Sequence, residues 1–593
     1  MFFKRILFFL FLLAAPAIIL FALVNRPEHG LTILFTHDLH SNLASYKMPS
    51  GDNGVIETGG YARLAAAINN ERRGREDKTL VLDAGDFSMG TLFHTIRSTH
   101  SPELITMGLM GYDATTLGNH EFEFGTASLA EALLTAKQNS QARLPAIIAS
   151  NIVINPREKE LEKFIKAYEE YPVMPYLIFN RSGLKIGIFA LMGKEAAIYA
   201  PEAKPIVFSD QLEAARKAVA MLRNQEKVDL VICLSHSGTW KDKSISEDEI
   251  MAKEAAGIDL IISGHTHSVL ERYIRAGSTY IVSAGCYGRY LGRLVIARKS
   301  DGSFQVLNYK LIPITPALAD DPGIAGLIKT FERYIEEEYL KQFGYDYNQV
   351  LAESNFSLPD PDWDKSHDRA ECITSGLGDL VGDACRYAVK AKEAGDYRNI
   401  SFVFEGFGQI RVPLAKGPIT VNDAFRLMAL GIGHDGKAGT GLVTFWLNGK
   451  EIKKILELET TLAPLRHGMH LQVTGMRFSY DPGAEPFSRV KKVEVEAEAG
   501  KLKPLEDNRL YRVCTGWKNI AMRQSLEELS GGKIVFLPKD QSGRPIKDLR
   551  TTRIFSENSE SLELKEWLAV AMYLESLSVL PEKYRSAEKN ISF

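Results

Sequence analysis

Five short segments of this chain carry side chains of the types that bind metal ions, and each follows an apolar run. They are Thr36-His37-Asp38-Leu39-His40, Asp83-Ala84-Gly85-Asp86, Gly118-Asn119-His120-Glu121, Ser235-His236-Ser237-Gly238 and Ser263-Gly264-His265-Thr266-His267. Imidazoles mixed with carboxylates suit Zn, Mn or Fe(II), whereas oxygen-only sites suit Mg or Ca. A carboxylate can bridge two cations, and an Asn carbonyl can fill a further position. Two ions about 3.5–4 Å apart can activate one water and clamp the phosphoryl oxygens during an in-line displacement. Gly85, Gly118 and Gly264 permit tight turns where such ligands must face inward. Taken singly, the segments have plainer readings: a surface Asp-x-His pair, a Gly-Asp turn, a helix cap. It is the set of five, in order and each after an apolar run, that packing needs alone would rarely produce. His37 is expected to point away from Asp38, since neighbours on a strand face opposite sides.

The elements that must position these groups can be read from the periodicity. Apolar runs at 31–35, 79–82, 114–117, 146–148, 185–191, 230–234, 258–262 and 280–282 alternate with amphipathic stretches such as 61–73 and 211–225. Strand–helix alternation predicts a layered α/β fold. In an open α/β sheet the carboxyl ends of the strands share one edge, where ligands bind. Five loaded strand ends on that edge would converge. A charged helix over 326–343 reads as solvated or bridging between two domains. The stretch 354–368 reads as a loop, and 372–388 as a helix holding Cys372 and Cys385. Short strands (401–404, 441–446, 511–514) and helices (421–430, 560–577) form a second α/β domain. The expected division is an N-terminal segment 1–28, a first domain 29–312, a linker helix 313–349 and a second domain 350–593.

At 593 residues the chain is too long for one core. A net charge of -3 with acids and bases intermixed argues against a nucleic-acid polymer as partner. It leaves small anionic substrates open, because a metal site supplies its own positive charge. Lys4 and Arg5 precede an uncharged run, 6–24, of roughly 19 residues, or about 28 Å as a helix. That length favours a membrane anchor over a cleaved signal and predicts a body exported to the cell envelope, facing the periplasm or exterior. The five cysteines are scattered and show no disulfide framework or zinc ribbon.

Together, Asp38-x-His40, Gly85-Asp86, Gly118-Asn119-His120-Glu121, His236 and Gly264-His265-Thr266-His267 resemble the metallophosphoesterase pattern. More specifically, the chain resembles the exported 5'-nucleotidase family. Gly59-Gly60-Tyr61-Ala62-Arg63-Leu64 and Gly288-Arg289-Tyr290-Leu291-Gly292-Arg293-Leu294 are similar to that family's recurring segments. The likeness covers nearly all of residues 31–300 and, more weakly, 350–593. It implies a four-layer metallophosphoesterase sandwich, a second α/β substrate domain and two divalent ions. Carried over, one metal site falls on Asp38, His40, Asp86 and His267, and the other on Asp86, Asn119, His236 and His265. His120 matches the family's catalytic histidine, and Glu123 stands where the family pairs it with Asp.

The implied activity is hydrolysis of small-molecule phosphate monoesters, nucleotides among them. Cyclic-nucleotide diesters, UDP-sugars or sulfur esters are alternatives on the same core. A tethered binding module with a vestigial site is disfavoured by the complete ligand set. The second domain departs from the family. Glu405-Gly406-Phe407-Gly408-Gln409-Ile410-Arg411 replaces an Asn-Gly-Gly-Gly-Ile-Arg segment, keeping Arg411 for phosphate or ribose. Ala429-Leu430-Gly431 lacks the family's stacking Phe, and Trp517 is the aromatic nearest the second stacking position.

Overall fold

The computed structural model describes residues 30–51, 54–359, 375–464, 470–498, 501–556, 561–587 and 591–592. Residues 6–24 and Cys372 lie outside them. Among the described residues no helix is long and apolar enough to cross a membrane.

The five loaded strands are β1 (Leu31–Thr36), β2 (Thr79–Asp83), β3 (Ala114–Thr116), β4 (Leu230–His236) and β5 (Leu260–Ser263). They do not share one open sheet, which corrects the expectation from sequence. β1, β2 and β3 lie side by side and parallel in a seven-stranded sheet. β4 and β5 are parallel neighbours in a separate six-stranded sheet. The period of two explains how the sheets stack. Ile33 and Phe35 of β1, Leu80 and Leu82 of β2, Ile232 and Leu234 of β4, and Leu260 and Ile262 of β5 join one buried cluster between the sheets. The alternate residues face outward. Leu34 and Val81 pack under helices Tyr61–Arg72 and Gly125–Asn139, while Val231 and Ile261 pack under Gln211–Ala220 and Glu247–Glu254. The result is four layers: helices, sheet, sheet, helices. Both sheets present strand ends at the same end of the sandwich.

Helix α1 (Pro322–Glu338) follows the first domain. The Asp321 side chain caps it, accepting from Gly323 N and Ile324 N. It is not a solvated helix. Ile324, Ile328, Phe331 and Ile335, spaced for one face, are buried. They belong to an apolar cluster that is continuous from Leu64 and Leu104 of the first domain to Phe425 and Trp567 of the second. The second domain holds a sheet ordered Leu442–Asn448, Leu510–Gly516, Phe402–Gly406, Leu471–Thr474. Helix Gly376–Glu393 packs on it, helix α3 (Glu566–Leu577) packs on that helix, and helix α2 (Val421–Leu427) packs on α3. The four described cysteines, Cys233, Cys286, Cys385 and Cys514, are buried free thiols.

The join between domains is aromatic. Trp567 of α3 is fully buried, and its ring meets Tyr339, Phe343, Tyr345 and Phe425. Its indole Nε1 donates to Tyr339 Oη at 2.8 Å, and that hydroxyl donates to Ala438 O at 2.7 Å. Trp567→Ala leaves a cavity and removes the donor to Tyr339 Oη, so it should cost about 3–5 kcal/mol. The expected readout is a lower midpoint of urea unfolding, with Trp567→Phe intermediate.

Candidate metal centre

The loops after the five strands turn sharply. Asp38, His40, Asp86, His265 and His267 all sit at positive φ (51°, 48°, 53°, 70° and 53°). Non-glycine residues adopt this region at a cost, and such residues gather at functional sites. Packing explains the glycines between them. A Cβ on Gly118 would lie 2.2 Å from Asp86 Oδ1 and 2.7 Å from the His236 ring. The backbone must pass that close for the side chains to meet.

They meet in two clusters, joined by a third group of His40, Asp86 and His120. Asp38, His40 and His267 form one, and Asp86, His236 and His265 the other; within each, the donor atoms lie within 4.8 Å of one another. Asp86 links them: its Oδ2 is 3.9 Å from His40 Nε2 and 3.1 Å from His236 Nε2. Asn119 Oδ1 approaches His236 Nε2 at 3.3 Å. Thus all seven side chains singled out as candidate ligands come together. His120 stands beside them, its ring centroid 5.1 Å from that of His40. Its Nδ1 donates to Glu123 Oε2 at 3.1 Å. Arg411 lines the adjoining cavity, and its carbonyl accepts from the Tyr287 hydroxyl at 3.2 Å.

Tautomers follow from the surrounding carbonyls. His40 Nδ1 donates to Met89 O at 3.1 Å, so its Nε2 carries the lone pair. That lone pair is 3.0 Å from His267 Nε2. Burial lowers both His40 and His267, the latter to about 3, so these rings are neutral at pH 7. Asp38 Oδ1 is buried with no hydrogen-bond partner among the described residues. The two Nε2 atoms stand 3.6 and 3.5 Å from it, around a gap that a cation would fill. In the second cluster, His236 Nδ1 donates to Ala84 O at 2.9 Å. Burial alone would lower His236, but the Asp86 carboxylate overrides it and lifts the ring to about 10. A cation seated there would replace that proton. Burial holds His265 neutral, at about 3. The donor set, carboxylate and imidazole with one orphaned oxygen, therefore fits a pair of divalent ions.

Two supports were not anticipated in sequence. His37 does not point away from Asp38. The turn to positive φ at Asp38 ends the strand alternation, and His37 Nδ1 lies 2.6 Å from Asp38 Oδ2. Because His37 Nε2 accepts from Ala284 N at 2.8 Å, the ring proton is on Nδ1 and is donated to the carboxylate. With His265 N also donating to Oδ2 at 2.8 Å, only Oδ1 is left facing the cluster. Glu121 straps the β2 and β3 loops together. Its Oε2 accepts from Asp86 N and Gly118 N at 3.0 and 2.6 Å, and its Oε1 from Ser88 N at 2.9 Å. Burial, followed by the Asp86 charge, raises its carboxyl to about 8.

The cluster forms one wall of a cavity of about 1580 Å³ between the domains. Trp517, half-buried, lines it and meets His434 edge to face at 4.3 Å. Lys518 and Asn519 line it too. Glu405 does not. It turns inward, its two oxygens accepting from Gly516 N at 2.9 Å and Asn519 Nδ2 at 2.6 Å. Phe407 is buried beside His470. The sequence offered no signal for His434 or Lys518, because their neighbours in space are hundreds of residues away or in another loop.

Residues 31–269 match the calcineurin-like phosphoesterase family, and residues 357–521 match the 5'-nucleotidase C-terminal domain. The trifunctional nucleotide phosphoesterase YfkN of Bacillus subtilis is 28% identical over 518 residues, which cover 83% of this chain and 32% of that longer protein. Human 5'-nucleotidase is 27% identical over 531 residues, covering 84% of this chain and 85% of that one. The solved 5'-nucleotidase precursor of Thermus thermophilus shares the fold at a TM-score of 0.71 and 24% identity, covering 95% of this chain and 99% of that one. A sulfate thiohydrolase, SoxB of the same organism, shares it at 0.66 and 20% identity, covering 96% and 97%. The chain belongs to the metallophosphoesterases that join a calcineurin-like phosphoesterase domain to a 5'-nucleotidase C-terminal domain.

Proposed function

We propose that this chain is a metal-dependent hydrolase of small-molecule phosphate monoesters, with nucleotides as the leading substrate class. Asp38, His40, Asp86 and His267 hold one divalent ion; Asp86, Asn119, His236 and His265 hold the other. The observation that carries the reading is the pair of buried carboxylates, Asp38 and Asp86, each facing imidazole Nε2 atoms across gaps of 3.1–3.9 Å. Zn, Mn and Fe(II) accept this donor set equally, and availability chooses among them.

When bound, a pair of divalent cations supplies positive charge at the phosphoryl oxygens and acidifies water at the site. The chain's own groups do the rest. His120, its Nδ1 committed to Glu123, is left with Nε2 to give a proton to the departing oxygen. Arg411 on the cavity wall offers a guanidinium to phosphate or to a ribose hydroxyl. Trp517 and His434 offer an aromatic surface to the leaving group. The cavity is larger than the roughly 300–1,000 Å³ common for small-ligand sites, which suits a nucleotide with room for the domains to adjust. The basic Lys4 and Arg5 ahead of the apolar run 6–24 support an enzyme exported to the cell envelope. The balanced charge supports a small-molecule substrate and not a nucleic-acid polymer.

Asp86→Ala should abolish activity and empty both ion positions, read as metal content after dialysis. His120→Ala should keep its metal and lose about 10²–10⁴-fold in kcat. Wild-type-like turnover in either variant counts against the assignment. A panel of AMP, UDP-glucose, bis-p-nitrophenyl phosphate and p-nitrophenyl phosphate, each with added Zn, Mn or Fe(II), ranks monoesters against diesters. Activity on none favours a binding module.

His37 generates a separate expectation. His37→Leu removes the proton donated to Asp38 Oδ2, so metal affinity should fall about 10–100-fold by titration calorimetry. His37→Asn, whose amide can donate to the same oxygen, should lose less.

A further inference from the structure

Glu123 has two oxygens and two partners, one from each domain. Its Oε2 accepts from His120 Nδ1 at 3.1 Å. Its Oε1 accepts from the ammonium of Lys518, 395 residues further along the chain. The Glu123 side chain is 5% exposed and that of Lys518 is 23% exposed, so the pair is largely withdrawn from water. A carboxylate buried to that degree is costly without a compensating charge. The Lys518 charge is the largest influence holding Glu123 ionised against its burial.

The placement of Lys518 is equally constrained. It is the second residue of the short helix Trp517–Ala521, which follows strand Leu510–Gly516. Its three consecutive residues face three ways. Trp517 meets His434 on the cavity wall. Lys518 crosses to the first domain. Asn519 reaches back into the second domain, where its Nδ2 donates to buried Glu405 at 2.6 Å and to Thr515 Oγ1 at 2.9 Å. The helix is therefore anchored at its base, and a leaving group lying on Trp517 rests one residue from the group that holds Glu123.

We infer that Lys518 is a positioning residue that completes the His120–Glu123 pair only when the second domain is docked. By fixing one Glu123 oxygen, it keeps the other on His120 Nδ1 and so keeps Nε2 aimed at the departing oxygen. The domain that carries the leaving-group surface thereby orients the proton donor. This rests on the phosphoesterase reading above. In the step Lys518 assists, the N–H bond at His120 Nε2 gives way to an O–H bond on the leaving oxygen as that oxygen's bond to phosphorus breaks.

The test compares AMP, whose ribose oxygen is a poor leaving group needing protonation, with p-nitrophenyl phosphate, whose phenolate leaves without it. In metal-loaded enzyme, Lys518→Met should lower kcat on AMP about 10–100-fold. It should lower kcat on p-nitrophenyl phosphate by less than about 3-fold, with KM and metal content near wild type. Lys518→Arg should restore most of the loss. Glu123→Gln should show the same dependence on leaving group, and the Glu123→Gln/Lys518→Met double variant should be no worse than Glu123→Gln alone. Equal losses on the two substrates, multiplying losses in the double variant, or a raised KM at unchanged kcat would each overturn the inference while leaving the phosphoesterase reading intact. A metal-loaded wild type inactive on both substrates would overturn the two together.

Discussion

Two buried carboxylates and four imidazoles converging at one end of a sandwich form an arrangement that needs positive charge to hold together. Asp38 and Asp86 are almost wholly buried, and His40, whose Nδ1 proton is claimed by the Met89 carbonyl, aims a lone pair toward them. Desolvating an ionised carboxylate is expensive, and facing it with a second acceptor adds to that expense. Here a proton on His236 meets part of the demand, and Asp38 Oδ1 remains unmet. Divalent ions would meet all of it. The surrounding structure makes sense as scaffolding against this internal repulsion.

That scaffolding works through backbone as much as side chain. Five of the seven clustered groups are held at positive φ, and backbone donors tie the loops across strands: Asp38 N to Gly85 O at 2.8 Å and His40 N to Asp86 O at 2.9 Å. Glu121 ties the β2 loop to the β3 loop, and His37 ties β1 to the loop after Val282. Each strap links elements that belong to different strands or sheets, so the site's geometry is fixed by the same register that fixes the fold. Strain at the loops is tolerable because the four layers beneath them are close-packed.

What the sequence revealed was local chemistry. Asp, Asn and His after apolar runs are visible in any five-residue window, and the alternation of those runs with amphipathic stretches implied layered α/β structure. What it hid was relative placement. Nothing in a run such as 230–234 states whether it joins the sheet of 31–35 or a second one, because both solutions bury the same side chains. His37 was misjudged because strand alternation was extended one residue past the turn at Asp38. The helix at Pro322–Glu338 looked solvated because its Glu and Lys outnumber the four apolar residues that bury one narrow face. Lys518 and His434 gave no signal at all. A lysine and a histidine in ordinary surface-like segments gain meaning only from partners such as Glu123, 395 residues distant.

The cavity's aromatic wall bears on which leaving group the enzyme accepts. The resemblance implied a ring sandwiched between two phenylalanines, and Ala429-Leu430-Gly431 removes one of them. The structure puts His434 in contact with Trp517 instead, their centroids 4.3 Å apart and their planes 80° from parallel. A base inserted between two rings needs about 7 Å, twice a van der Waals contact. No ring fits between these two as they stand. A leaving group would then meet Trp517 from one side, with His434 packed against its ring. His434 is itself held by a bond from its own amide to Glu563 at 3.1 Å, beside the buried Lys565–Asp435 pair. A single braced face discriminates among bases less sharply than a sandwich, because it contacts one side of the ring instead of two. Polar groups around the edge of the cavity are then left to supply selectivity, and Lys518, which the second domain commits to Glu123, stands one residue from that face.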